Sequence, residues 1–203
     1  MTQQHPTGKG VAAPDISARD DAAALDEIEA IFTRFGAELY GEGITQLHHG
    51  LQAAALAASE GASETLILAA LLHDIGHLVE QADDAFGYHK HDQSGADYLE
   101  PLFGRAVSEP VRLHVVAKRY LCAVQADYFA KLSPASVYTL GKQGGPMTAE
   151  ECRAFEDNPW CAEAIKLRRW DDSGKIEGLT VLPLAHYRPL MARWIHASNG
   201  ITA

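Results

Sequence analysis

The residues best able to do chemistry lie in LILAALLHDIGHLVE, from Leu66 to Glu80. An unbroken apolar run, Leu66 to Leu72, ends abruptly in His73-Asp74, and His77 follows. Such a run suits a helix buried on nearly all sides. Ionisable residues at its end are costly unless something compensates them. A bound cation compensates both at once, and neutral imidazole with ionised carboxylate is a donor set that divalent iron, manganese or zinc accepts. Neighbours on a helix diverge by about 100°, so His73 and Asp74 cannot share one line. Both can still reach one metal, and the second oxygen of Asp74 can reach another. His77, at i+4 from His73 and i+3 from Asp74, overlooks the same pocket. A simpler reading, histidines at the negative end of a helix dipole, accounts for this stretch alone equally well.

The rest of the chain adds donors. His49, His91, His114 and Asp171 each fall on a different predicted helix or at its end. Ligands converging from several helices are what a metal centre in a bundle needs. Six protein donors with a shared Asp suit a pair of metals, roughly 3.5–4 Å apart in two-metal sites. Taken singly, each is a residue that cores and surfaces hold without function. Chemistry alone does not choose between His48 and His49, or between His89 and His91.

The elements that must position these donors are helical. Residues 1–20 carry Gly, Pro and polar residues without an apolar period and read as a mobile tail; 21–203 read as one helical domain. From Asp21 the residues Leu25, Ile28, Ile31, Phe32 and Phe35 share a face, in a helix expected to fail between Gly36 and Tyr40. A second helix is expected from Gln46 to about Glu60, before Gly61. Ser63 opens a third. The polar stretch from Glu80 to His89 reads as a loop. Helices are then expected over Asp92–Phe103, from Pro110 in a first turn, and over Gln125–Leu132. Ser133-Pro134 opens the next, and Gly144-Gly145-Pro146 stops it. Thr148 to Glu151 fits a capping box. Trp160–Trp170 reads as helix, Asp172-Ser-Gly174 as a turn, and Leu184 to about Ala197 as the last helix. No strand pair is visible, so the class is all-α, a helical bundle with a dinuclear metal site in its core.

Composition narrows the partners. The chain has 203 residues, a formal charge of -10 and 47% apolar residues. That charge argues against a nucleic-acid partner, though a local cationic pocket can still take an anion. Cys122, Cys152 and Cys161 form no C-x-x-C pair, and reduced thiols are expected. No apolar run is long enough to span a membrane, and no basic-then-apolar signal opens the chain, so a cytoplasmic location is expected. The oligomeric state is not legible.

The order H…HD…H…H…D on helices resembles the HD-domain superfamily, whose members are mostly metal-dependent phosphohydrolases. The phrases QLHHGLQ, ALLHDIGH, HDQSGADYL, HVVAKRYL, LSPAS, QGGPM and RRWDDSGK, from Gln46 onward, resemble more narrowly the HD-domain phosphonate oxygenases of the PhnZ and TmpB type. The short HD motif is unspecific, whereas HVVAKRYL, GGPM and WDDSGK in this order are specific. The resemblance implies two iron ions in a mixed-valent Fe(II)/Fe(III) pair. His49, His73, Asp74 and Asp171 would hold one iron, and Asp74 would bridge to a second held by His91 and His114. It selects His49 over His48 and His91 over His89.

The resemblance also implies a small-molecule hydroxyphosphonate and O2 as reactants, and phosphonate contacts from His77, Lys118, Ser136, Thr139 and Arg168. The spacing is compatible. Lys118 lies four residues after His114, Arg168 three before Asp171, and Ser136 and Thr139 follow a Pro-marked helix start. Tyr40 fits a residue that occupies an iron position before substrate arrives, and Glu42 one that faces the substrate's cationic end. The Tyr-x-Glu spacing is similar to that of the trimethylammonium-handling member. The expected reaction is oxidative C–P cleavage of (R)-1-hydroxy-2-(trimethylammonio)ethylphosphonate to glycine betaine and phosphate. The alternatives are the 2-amino substrate giving glycine, an HD phosphohydrolase using the same ligands, and a catalytically silent HD module.

Overall fold

The computed structural model describes residues 21–37, 43–79 and 90–199, with side chains through 195. The expected tail (1–20), the segment with Tyr40 and Glu42, and the expected 80–89 loop lie outside the described residues. The described residues form ten α-helices and no strand. α1 (Asp21–Phe35) buries Ala24, Leu25, Ile28 and Phe32, the face its period marked out. In α2 (Gln46–Ser59), the Thr45 side chain caps the N-terminus by accepting from the His48 N–H. Ser63 caps α3 (Glu64–Leu72) in the same way.

α3 organises the rest. It contacts α2, α6 (Arg105–Val124), α9 (Cys161–Ser173) and α10 (Leu184–Asn199). A helix covered on so many sides has no polar face to keep, which is why its sequence has almost no amphipathic pattern. Leu68, Leu71 and Leu72 are fully buried, each worth about 1.5–3 kcal/mol. A nine-residue helix is too short to stand alone, so this packing is what holds it.

The apolar run stops being helical where chemistry begins. His73, Asp74 and Ile75 form a turn, and the chain resumes as the short α4 (Gly76–Val79). His77 therefore does not continue the helix of His73. The turn nevertheless brings its ring to stack on His91, centroids 3.9 Å apart. His91 is the first residue of α5 (His91–Phe103).

Three other boundaries differ from expectation. α6 starts at Arg105, and Pro110 sits inside it, because Gly104 at φ 73 makes the break between α5 and α6. The 125–132 stretch is not an α-helix. Gln125 is extended, and the chain then makes tight turns, including a 3-10 turn at Phe129–Lys131, while the Tyr128 hydroxyl bonds across to Asp172. Asp172 and Ser173 are helical rather than a turn. The Asp172 side chain is bonded to Arg168 one turn earlier, so it does not redirect its own backbone, and Gly174 ends α9.

α7 (Pro134–Lys142) is capped by Ser133, and α8 (Ala149–Glu156) carries the capping box of Thr148 and Glu151. A second apolar cluster, including Ala117, Met147, Phe155 and Ala164, joins α6, α8 and α9. Among the described residues no helix is long and apolar enough to cross a membrane.

Candidate metal centre

Five places in the fold supply the donors. α2 gives His49, the turn after α3 gives His73 and Asp74, α5 gives His91, α6 gives His114, and α9 gives Asp171. Close backbone approach brings them together. A Cβ on Gly50 would lie 2.5 Å from the Leu71 carbonyl oxygen, so glycine lets α2 close on α3 beside His49 and His73. A Cβ on Gly76 would lie 2.0 Å from the His91 carbonyl oxygen, so the start of α5 can reach the turn only because Gly76 has none. Neither glycine was singled out from the sequence. The HD-x-G-H spacing is the signal that could have marked Gly76.

Three of the four rings are aimed by a backbone carbonyl. His49 Nδ1 donates to Gly174 O (2.9 Å), His73 Nδ1 to Ala70 O (2.9 Å) and His114 Nδ1 to Val111 O (2.6 Å). A carbonyl only accepts, so the proton of each neutral ring sits on Nδ1 and its Nε2 presents a lone pair. The Nε2 atoms meet in pairs. His49 Nε2 and His73 Nε2 are 3.1 Å apart, and His91 Nε2 and His114 Nε2 are 3.2 Å apart. Facing lone pairs repel unless a cation lies between them.

Asp74 divides its oxygens between the two pairs. Oδ2 lies 3.6 Å from His49 Nε2 and 3.5 Å from His73 Nε2, while Oδ1 lies 3.5 Å from His91 Nε2 and 3.8 Å from His114 Nε2. Asp171 Oδ1 adds a fourth donor to the first group, 3.2 Å from His49 Nε2 and 3.9 Å from His73 Nε2. With metal–ligand bonds of about 2.0–2.2 Å, donors sharing one ion sit about 3.0–3.5 Å apart, close to this spacing. Among the described residues, neither Asp74 Oδ2 nor Asp171 Oδ1, both buried, accepts a hydrogen bond. Orphaned carboxylate oxygens are expensive, and a metal satisfies them. The set thus fits two metal positions, His49–His73–Asp74 with Asp171, and Asp74–His91–His114.

Charge states agree. Burial pushes the His73 imidazole down to about 4, against the pull of Asp74 and Asp171, so it is neutral near pH 7. Burial opposes ionisation of Asp74, but the surrounding histidines, His73 foremost, hold it well below the usual carboxylate range. Asp171 is held down likewise, by Arg168 and then Lys175. At His49 burial disfavours the charged form, yet Asp171 outweighs it and raises the imidazole; this attracted proton occupies the place a metal takes.

Beside the donors lie buried cationic side chains. Lys118 and Arg168 are both 3% exposed. Arg168 Nη1 pairs with Asp171 Oδ2 at 2.6 Å, and Nη2 donates to Asp172 Oδ1. Among the described residues Lys118 has no carboxylate partner. Its Nζ donates to Thr139 Oγ1 (2.9 Å), whose hydroxyl donates to Ser136 O (3.2 Å). Burial and then Arg168 push the Lys118 ammonium down to about 8. Ser136 is buried on the first turn of α7. Lys175, not anticipated, lies 3.7 Å from Asp171 Oδ1; its i+4 position from Asp171 in WDDSGK was the available signal. Tyr128, also not anticipated, accepts from Arg168 Nε (3.2 Å), and no local pattern marked it. His48 lies partly exposed outside the cluster, whereas His89, Tyr40 and Glu42 fall outside the described residues.

Comparison with known proteins agrees with this geometry. The HD domain family model matches residues 46–153, which carry all the donors except Asp171. The chain is 49% identical over 157 residues to a hydroxymethylphosphonate dioxygenase of Gimesia maris, covering 75% of this chain and 78% of that one. It is 39% identical over 193 residues to the glycine-betaine-forming [1-hydroxy-2-(trimethylamino)ethyl]phosphonate dioxygenase of Leisingera caerulea, covering 92% and 98%. It is also 39% identical over 183 residues to the uncharacterized protein L432 of Acanthamoeba polyphaga mimivirus, covering 87% and 84%. The chain belongs to the HD-domain family and, within it, to the phosphonate oxygenases.

Proposed function

We propose that the protein is an iron- and O2-dependent enzyme that cleaves the C–P bond of a 1-hydroxyphosphonate. The observation that carries this is the division of Asp74 between two facing histidine pairs, with a buried ammonium at Lys118 nearby that pairs with no carboxylate among the described residues. The first feature supports a metal pair and the second an anionic reactant. His49, His73, Asp74 and Asp171 would hold one iron, and Asp74, His91 and His114 the other, in the mixed-valent state that the family resemblance implies. Iron in this place supplies Lewis acidity toward the substrate oxygens and the redox capacity to use O2. The chain's own work is binding and orientation. Lys118 and Arg168 neutralise the phosphonate, Ser136 and Thr139 offer it hydroxyl groups, and His77 stands beside His91 where the substrate would lie.

The trimethylammonio substrate is supported by the Tyr40-Gly-Glu42 segment and by the relative aligned over 98% of its own length. A quaternary ammonium donates no N–H, so it calls for carboxylate charge and aromatic faces, the roles proposed for Glu42 and Tyr40. A second reading, hydroxymethylphosphonate, is favoured by the relative at 49% identity. The 2-amino analogue is the remaining member of the class.

The test compares these three substrates with the Fe(II)-reconstituted protein under air and under argon. We expect one O2 consumed per phosphate released, and no release under argon. Release that ignores oxygen would exclude the oxygenase. We also expect Glu42→Gln to raise KM for the trimethylammonio substrate while leaving hydroxymethylphosphonate unaffected. An equal effect on both would remove Glu42 from the cationic end.

A further inference from the structure

Tyr128, Asp172 and Arg168 form a closed triangle beside the metal centre. The buried Tyr128 hydroxyl donates to Asp172 Oδ2 and accepts from Arg168 Nε at 3.2 Å, while Arg168 Nη2 donates to Asp172 Oδ1. Burial and Asp172 raise the phenol well above its ordinary range despite the opposing charge of Arg168, so it stays a donor. Each member is thus bonded to the other two. The fourth bond of the unit leaves it, from Arg168 Nη1 to Asp171 Oδ2 at 2.6 Å.

A guanidinium has five N–H donors in one plane. Here one donor on each of Nε, Nη1 and Nη2 is committed, leaving one N–H on each Nη to face a ligand. The direction of those two depends on the rotation of the plane. Asp171 and Asp172 both come from the same helix as Arg168, so they fix the plane only relative to α9. Among the described residues, Tyr128 is the hydrogen-bonded contact from outside. It stands on the connector that leads into α7, which carries Ser136 and Thr139. Its hydroxyl therefore ties the cation on α9 to the segment bearing the other proposed phosphonate contacts.

We propose that Tyr128 and Asp172 are positioning residues for phosphonate recognition: they lock the Arg168 plane so that its free N–H pair points at the substrate oxygens while its other edge holds Asp171 to the metal. This rests on the function proposed above. A Tyr serving only to anchor the connector would not depend on what occupies position 168, and the test uses that difference.

Anaerobic calorimetry of the iron-loaded protein with methylphosphonate, which has no 1-hydroxyl to oxidise, reads binding without turnover. Four proteins are compared: wild type, Tyr128→Phe, Arg168→Lys and the double variant. Tyr128→Phe keeps the ring and strands two charge-assisted partners, so binding should weaken about tenfold or more with iron content unchanged. In the Arg168→Lys background the same change should cost less than about threefold, because the coupling partner is already gone. An equal loss in both backgrounds, or no loss in either, overturns the proposal. Should Tyr128→Phe fold poorly, Asp172→Asn is carried through the same cycle with the same expected and overturning results. Wild-type protein that fails to bind methylphosphonate also overturns it. Binding with the expected coupling, but no oxygen-dependent phosphate release from any of the three hydroxyphosphonates, would defeat the oxygenase reading and leave the positioning role standing.

Discussion

Replacing Lys118 by Met should make the protein more stable and far less active. Lys118 is 3% exposed, donates to Thr139 Oγ1, and forms no ion pair among the described residues. Moving its ammonium from 10.5 to about 8 corresponds to roughly 3 kcal/mol against the charged form in the fold. Met fills a similar unbranched volume without the charge. It forfeits the bond to Thr139, about 1 kcal/mol, so the net gain near pH 7 is roughly 2 kcal/mol. For a chain of this size that is a rise in Tm of about 4–8 °C. The sign with pH follows from linkage. A base whose pKa is lower in the fold binds fewer protons there than in the unfolded chain. The penalty is therefore present in full below about 8 and fades as pH rises toward 10.5. The stability gap between variant and wild type should close across that window.

Activity should move the opposite way. A charged hydrogen bond to a phosphonate dianion is worth about 1.5–3 kcal/mol, so kcat/KM should fall about 10- to 150-fold, carried by KM. Thermal unfolding without substrate from pH 7 to 10, beside oxygen-dependent phosphate release, reads both effects. A Lys118→Met variant that is less stable than wild type at pH 7 and keeps its kcat/KM would refute the reasoning, and Lys118 would then be a structural residue.

Two further substitutions probe the metal pair. His114→Ala removes one of the two donors that serve only the second position, so iron per chain should halve and turnover should vanish. Elemental analysis showing full iron, with normal phosphate release, would contradict that role. Gly76→Ala puts a methyl 2.0 Å from the His91 carbonyl oxygen, a backbone atom that cannot step aside cheaply. Overpacking costs about 1–3 kcal/mol in ordinary cores, and here α5 must retreat with His91 on it. The variant should lose the second metal and keep the first. A wild-type Tm with full iron would show that the approach is looser than the structure has it.

The one-dimensional pattern carried a great deal. Local rules suffice for the caps at Ser63, Ser133 and Thr148, since each depends on a side chain reaching a backbone N–H three residues away. They also suffice for α3, whose uninterrupted apolar run announces burial on all sides. The donors were legible because His and Asp at the ends of apolar helices demand compensation wherever the helices go. Local rules failed where a distant partner settled the backbone. Asp172 is helical because Arg168 and Tyr128 hold its carboxylate, and 125–132 is not an α-helix while Tyr128 reaches across to α9.

Residue types and order were enough to predict a candidate metal donor on each of several helices, and the family phrases singled out His49 and His91 from their neighbours. Only the tertiary structure decided how those donors divide. It aimed the Nε2 atoms of His49 and His73 at one oxygen of Asp74, and those of His91 and His114 at the other. It also left Lys118 buried with no counterion among the described residues and enclosed Arg168 in a ring with Tyr128. The physical reason is range. Capping and amphipathic period act within one or two turns, whereas ligand geometry and unpaired charge depend on side chains far apart in the chain, such as His49 and Gly174, whose bond spans 125 positions.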